Sequence, residues 1–259
     1  MSEVTQERVG KSLIVAINRP EARNSLTLPV IESIAAAFNS ASKDASIRCV
    51  VLTGTGGHFC AGADLRRTFQ DDPNLLEHLD DYMDKFHAVI HSIVRCPKPT
   101  VAMMDGCAVG FGADMALACD LRVAATSAYL QEKFVNIGLM PDGGGTFWLP
   151  RLIGTARAMK AMLLGDKLEA SALNELGLLA SIVAPEKLRE EALAIAARLE
   201  AGPPLAYAEL KRSVYASWGD IEAALKRERE GQLKLLRSQD AIEGIMAWSQ
   251  KRAPDFQGK

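Results

Sequence analysis

Arg48-Cys49-Val50-Val51-Leu52-Thr53 runs straight into Gly54-Thr55-Gly56-Gly57-His58-Phe59-Cys60-Ala61-Gly62-Ala63-Asp64. The first six residues are apolar without the alternation of a half-wet strand, so they read as a short strand covered on both faces. Strands of that kind belong to parallel sheets flanked by helices. The glycines that follow mark a turn or a tight backbone approach. The same order returns at Pro99-Thr100-Val101-Ala102-Met103-Met104-Asp105-Gly106, again strand into glycine turn. Residues 109–117 then read as a helix opening on glycines, and residues 121–125 as a further strand. Upstream, residues 11–18 are rich in branched side chains and follow Gly10, as the second strand of a hairpin would. Thr27 can cap a helix that tolerates Pro29 in its first turn and places Ile31, Ile34, Ala35 and Phe38 on one face. Gln70-Asp71-Asp72-Pro73-Asn74 reads as a mobile surface loop. Leu76, Leu79, Met83, Phe86, Ile90 and Ile93 follow at helical core spacing. Alternating strands and helices indicate an α/β core with parallel pairing.

From about Glu186 the strand signals stop. Residues 188–199, 205–214, 221–236 and 241–248 read as helices, separated by Gly202-Pro203-Pro204, Gly219 and Ser238. Asp240 followed by Glu243 has capping-box spacing. The expected division is a core over residues 1–202 and a helical region over residues 203–259 that packs on something rather than standing alone.

The 259 residues can bury one large domain, and a net charge of -2 gives no acidic or basic excess. Neither nucleic acid nor an anionic membrane surface is expected as a partner. The first seven residues have neither a basic start nor an apolar run, unlike a signal peptide, and no stretch reaches the ~18 apolar residues of a membrane span. The five cysteines are odd in number and contain no C-x-x-C pair, which argues against a disulfide framework and a zinc site. The expectation is a cytoplasmic, reducing environment.

Function is sought in the stretch Pro141-Asp142-Gly143-Gly144-Gly145-Thr146. Asp142 stands between the apolar run of residues 134–140 and bare glycine backbone, where little water reaches it. Its pKa can rise toward that of a useful base. The competing interpretation is an aspartate that caps a helix start. The glycine turns lack phosphate chemistry: residues 54–57 have no following Lys-Ser/Thr, and Gly110-Phe111-Gly112 meets Met115 where the dinucleotide fingerprint needs glycine. No G-x-S-x-G elbow is present. His87 and His91, with Asp80 and Asp84, could line one helix side as a metal site, against a solvated flank as the plainer reading. Glycine turns can also aim two backbone N–H groups at one point, an oxyanion hole contributing about 3 kcal/mol per donor. Glycines before Ala63 and on both sides of Phe111 permit that approach, or merely permit tight turns.

Three segments together carry a resemblance: Phe59-Cys60-Ala61-Gly62-Ala63-Asp64-Leu65, residues 105–114 from Asp105 to Asp114, and residues 138–146 from Gly138 to Thr146. With Asn18-Arg19-Pro20-Glu21-Ala22-Arg23-Asn24-Ser25-Leu26 and the ending Lys251-Arg252-Ala253-Pro254-Asp255-Phe256, they resemble the crotonase (enoyl-CoA hydratase/isomerase) superfamily, in family order along nearly the whole chain. The resemblance implies a crotonase-like spiral of ββα units with a C-terminal helical trimerisation region, assembled as a homotrimer or a dimer of trimers. It implies an acyl-CoA thioester as substrate, with no separate cofactor and no metal. The oxyanion donors would be the amides of Ala63 and Phe111. Substrate contacts would come from Ala61, Gly62, Asp64, Leu65, Gly110, Phe134 and Met140, with Arg23 on the CoA phosphates.

Typical hydratases of the superfamily use two glutamates, which fall on Asp114 and Phe134. Phenylalanine cannot activate water. Asp142 falls where dienoyl-CoA and ring-epoxyphenylacetyl-CoA isomerases carry their catalytic aspartate, and the surrounding residues look most like the latter group. The expected activity is double-bond isomerisation with Asp142 as proton shuttle and Asp114 as a candidate second acid/base. Hydration by Asp114 and Asp142 is the alternative, and a catalytically idle binding protein is the alternative from another class.

Overall fold

The computed structural model describes residues 2–217 and 221–255, so Gly219 and Phe256 lie outside the described residues. Strands β1 (Val4–Val9) and β2 (Ser12–Ile17) form the antiparallel hairpin, turning at Gly10 with a left-handed φ of 59°. Helix α1 (Leu28–Lys43) returns the chain to β3 (Cys49–Gly54), which pairs parallel with β2. Helices α2 (Leu65–Asp71) and α3 (Leu79–Val94) precede β4 (Thr100–Met104) and β5 (Cys107–Val109). Then come α4 (Phe111–Ala118), β6 (Leu121–Ala125) and β7 (Tyr129–Gln131). After the glycine cluster follow α5 (Gly145–Ile153), α6 (Thr155–Leu164), β8 (Leu168–Glu169), α7 (Ala170–Glu175) and β9 (Ser181–Val183). Four helices finish the chain: α8 (Leu188–Glu200), α9 (Pro204–Ser217), α10 (Ile221–Leu236) and α11 (Gln239–Ser249).

The large sheet has the order β1-β2-β3-β4-β6-β9 and is parallel except at its first pair. The small sheet has the order β5-β7-β8, and the loop after β3 joins its edge through a parallel bridge between Cys60 and Ala108. Each pass of the chain therefore lays one stretch into the large sheet and the next into the small one: β3 then Cys60, β4 then β5, β6 then β7. A helical segment follows each time. That repetition is the ββα spiral that the resemblance implies. Val51, Val101 and Val123 are fully buried in adjacent strands, which is why these runs carry no polar alternation.

Local details depart from the sequence reading in several places. The small-sheet strands are two or three residues long, too short for a period to register. Gln70 and Asp71 end helix α2 rather than opening a loop. Thr27 stands at the helix start, but its hydroxyl makes no cap and is buried without a partner. Leu76 falls in a 3-10 turn (Leu75–Glu77) ahead of α3, and its side chain lies outside the described residues. At α11 the cap is Ser238, whose hydroxyl accepts from the Ala241 amide at 3.0 Å. Asp240 is already inside that helix, so the Asp240–Glu243 box does not form, and Glu243 instead pairs with Arg252.

The late helices fold back onto the core. Ala224, Leu225, Leu236 and Ala241 are buried in the same cluster as the main strands. Close approach of α11 to the 3-10 turn Phe134–Ile137 requires Gly244, where a Cβ would meet the Ile137 carbonyl carbon at 2.5 Å. No described helix is long and apolar enough to cross a membrane.

Candidate active site

Two glycine turns meet at one place. The amide of Cys60 donates to the Cys107 carbonyl at 2.8 Å, and the Val109 amide donates to the Cys60 carbonyl at 2.9 Å, which ties the loop after β3 to β5. On its other edge the Leu26 amide donates to the Gly62 carbonyl and the Asp64 amide to the Leu26 carbonyl, both at 2.8 Å. In a parallel bridge the residue between the bonded ones points its own N–H to the opposite side, and that residue is Ala63. Phe111 opens α4 after Gly110, whose φ of 54° turns the backbone, so its N–H has no carbonyl one turn back. Among the described residues neither amide has an internal hydrogen-bond partner. Gly62, with φ of 89°, lets the two turns touch: a Cβ there would lie 2.8 Å from the Val109 oxygen and 3.8 Å from the Phe111 nitrogen. Two free amides thus border one space, one of them at the positive end of a helix.

That space opens into a cavity of about 140 Å³ lined by Ala61, Gly62, Ala63, Leu65, Gly110, Phe111, Phe134 and Asp142. Its size is that at which an apolar cavity holds a group as large as benzene. Tyr82, Met83 and Phe86 of α3 form another wall, and the rings of Tyr82, Phe86 and Phe111 pack in series, the first pair tilted and the second edge to face, with centroids 4.6 and 4.7 Å apart. Gln232, Leu236 and Trp248 from α10 and α11 close the remaining side. Phe134 stands across Gly110, with its ring edge 3.6 Å from where a Cβ would be.

Asp142 is 9% exposed and does not cap α5, which rules out the helix-start role; Gly144 stands at that helix start. The carboxyl Oδ2 accepts from Gln232 Nε2 at 2.8 Å, while Oδ1 is buried without a partner. Burial pushes the Asp142 pKa up from 3.8 to about 7; the Gln232 donation opposes that rise and the Glu228 carboxylate adds to it. Its backbone is held as well: His87 Nε2 lies 3.0 Å from the Asp142 carbonyl oxygen. A carbonyl only accepts, so His87 is the Nε2–H tautomer, and burial lowers its pKa to about 4. His87 is therefore an inward-facing strut rather than part of a solvated flank, and among the described residues no three His, Cys, Asp or Glu side chains group as metal ligands would. Asp80 and Asp84 both pair with Arg229 of α10.

Asp114 is wholly buried behind the loop and does not line the cavity. Its Oδ2 accepts from the Gly143 amide at 3.0 Å. Burial first, then the carboxylates of Glu132, Glu228 and Asp142, push its pKa well above the ordinary range, favouring the neutral acid. Glu132 is 1% exposed and is shifted the same way by burial, Glu228 and Asp142. Glu228 supplies the cap that α5 lacks locally, accepting from the Gly144 amide at 2.7 Å, the Thr146 amide at 3.0 Å and the Thr146 hydroxyl.

The other expected contacts separate from the cavity. Asp64 caps α2 through the Arg67 amide and pairs with Arg19 at 2.9 Å. Met140 turns away and seats its sulfur against Gly231 of α10, where a Cβ would collide with it. Arg23 is exposed; its carbonyl accepts from the Ala61 amide at 3.0 Å, which sets its backbone beside the amide-bearing loop. Glu132, Glu228 and Gln232 were not picked out as site residues by sequence reasoning, and His87 was weighed there only as a metal ligand or a solvated flank. One signal was available: Glu228 and Gln232 stand four apart beside Ala224 and Leu225, polar groups on a face the helix must bury.

Residues 9–259 match the enoyl-CoA hydratase/isomerase family. The chain belongs to that family. It is 37% identical over 247 residues to a probable enoyl-CoA hydratase of Rhodobacter capsulatus, covering 95% of this chain and 94% of that protein. It is 35% identical over 262 residues to the 1,2-epoxyphenylacetyl-CoA isomerase of Escherichia coli, covering 100% of both. Among solved structures, an enoyl-CoA hydratase from Mycobacterium avium subsp. paratuberculosis superposes with a TM-score of 0.89 at 33% identity, covering 99% of each chain. Hydratases and isomerases of the family thus stand at similar distance, and the choice between the two chemistries falls to the site.

Proposed function

We propose that this family member isomerises a carbon–carbon double bond in an acyl-CoA thioester, with Asp142 carrying the proton. The observation that supports this most is the count of acids at the cavity wall: among the described residues lining it, Asp142 is the one carboxylate. Hydration needs one group to activate water and another to deliver a proton, and Phe134 occupies the wall across from Gly110 where a second acid would be useful. Allylic isomerisation needs one base that gives back what it takes.

The thioester oxygen sits on the amides of Ala63 and Phe111. In a 3-enoyl thioester, Asp142 removes the proton at C2, the electron pair moves onto the oxygen as a dienolate, and the same carboxylic acid returns the proton at C4. An aspartate near its usual value of about 4 is too weak a base for a thioester α-proton. A pKa of about 7 and an oxygen held by two amides bring base and carbon acid closer together. The CoA thioester is the substrate, and no separate cofactor takes part. Arg23 is the candidate contact for the CoA phosphates. Exposed Leu163 and Leu164 on α6, Leu205 on α9 and Met246 on α11 offer apolar surface for the homotrimer.

The test is a panel of 2-enoyl, 3-enoyl and dienoyl thioesters assayed for isomerisation and hydration with wild type and Asp142→Asn. Isomerisation is expected to dominate and to fall at least about 10²-fold in the variant with acyl-CoA binding retained. Wild-type hydration of crotonyl-CoA outpacing isomerisation of every 3-enoyl substrate would overturn the proposal.

A further inference from the structure

Helix α10 presents Glu228 and Gln232 one turn apart toward the glycine loop, and between them they reach four of its residues. Glu228 takes the amides of Gly144 and Thr146, and Gln232 takes the side chain of Asp142 and the amide of Met140. The Met140 amide is a donor and lies 3.3 Å from Gln232 Oε1, which fixes the orientation of the Gln232 amide. Gln232 Nε2 must then face Asp142, 2.8 Å from Oδ2. Gln232 is 2% exposed, so its amide is almost wholly withdrawn from bulk water. α10 is itself anchored to α3 through Arg229, which pairs with Asp80 and Asp84.

We infer that Gln232 is a positioning residue for catalysis: anchored by the Met140 amide, it donates to Oδ2 of Asp142 and holds the carboxyl in one rotamer at the cavity wall. This inference rests on Asp142 being the base. A carboxyl held in one orientation takes the proton from C2 and returns it at C4 without losing its aim between the two steps.

The arrangement also sets when Asp142 is ionised. The groups that face it are Glu228 on α10, Asp114 on α4, Glu132 after β7, Tyr82 and His87 on α3, and Lys133 at the cavity wall. Gln232 is the side chain that donates to its carboxylate, and it favours the charged form. Glu228 is a buried carboxylate that disfavours the charged form. Activity that needs ionised Asp142 rises with pH, so losing either group moves this acid limb, and the two losses move it in opposite directions.

The experiment is the pH profile of kcat/KM for isomerisation in wild type, Gln232→Met, Gln232→Glu and Glu228→Gln, with far-ultraviolet circular dichroism as the folding control. Gln232→Met keeps the volume and removes the donor. Its acid limb is expected about one pH unit higher, a loss of about tenfold on that limb, with kcat falling more than KM changes. Gln232→Glu keeps an acceptor for the Met140 amide but sets an acid against an acid, and moves the limb up at least as far. Glu228→Gln removes the charge, keeps an acceptor for one of the two loop amides, and moves the limb down. Asp142→Asn separates the two levels. If it retains turnover, the proposed function fails. If it is inactive while both folded Gln232 variants overlay the wild-type profile, the base stands and the positioning role is overturned.

Discussion

Asp142→Asn is expected to make the protein more stable while abolishing its chemistry, and the gain should depend on pH. An asparagine Oδ1 can still accept from Gln232, so the contact at 2.8 Å is kept while the charge is lost. In the unfolded chain the aspartate ionises near 3.8, and in the folded protein burial raises that to about 7. The native state therefore holds its proton more tightly than the unfolded state. Wild-type stability falls as pH rises from about 4 to about 7 and is level with respect to this group above that. The full cost of the buried charge is about 4 kcal/mol, reached by pH 8.5; at pH 5.5 about 2 kcal/mol of it is already felt. Any pH-independent cost of placing an amide in the cavity cancels when the two pH values are compared. The stability advantage of the variant should therefore widen by about 2 kcal/mol between pH 5.5 and 8.5, measured by urea unfolding at fixed protein concentration. Removing the Asp142 charge also eases ionisation of Asp114 and Glu132, which acts in the same direction. An advantage that stays flat or shrinks over that range would refute a carboxyl held out of water, and with it the raised basicity on which the mechanism depends.

Gly62→Ala places a Cβ 2.8 Å from the Val109 oxygen at a φ of 89°, and is expected to displace the paired amides and lower kcat/KM by about 10²-fold, read in the isomerase assay. Gly143→Ala meets Asp114 Cβ at 2.7 Å and the Phe111 ring at 2.8 Å, with nothing soft to yield, and should cost about 1–3 kcal/mol in urea unfolding. Asp114→Asn keeps an acceptor for the Gly143 amide and replaces an acid that already favours its neutral form, so activity should stay within about tenfold of wild type. A drop of about 10³-fold would instead make Asp114 a second acid/base group.

The parts of the fold legible in the sequence are those whose signal is local and repeated. The strand Val50–Val51–Leu52 is apolar because both its faces are covered, and the Gly62 and Gly110 turns need φ values that glycine supplies. Asp142 also showed locally, as a carboxylate set between an apolar run and glycines. The three-residue strands β5 and β7 did not, because neither spans enough residues to show a period. Asp240 and Glu243 had the spacing of a cap box, yet the helix began two residues earlier on Ser238, since several polar residues in a row offer the backbone more than one place to start.

The same contrast between local and distant signals explains why the support of the site was harder to find than its base. Asp142 is held at its carbonyl by His87, at the amide that follows it by Asp114, and at its carboxyl by Gln232; these come from α3, α4 and α10. Gln232 is 90 residues away in sequence from Asp142, so no window around the glycine loop contains it. What marks it is a conflict inside α10: Glu228 and Gln232 lie on the face that also buries Ala224 and Leu225, where an uncompensated polar group would cost stability. Burial of such groups is tolerable when they meet donors and acceptors that lack local partners, and the loop with Asp142 supplies those groups. A polar pair on a face that must be buried therefore points to a loop elsewhere that cannot satisfy its own backbone, and in this chain that loop carries the acid.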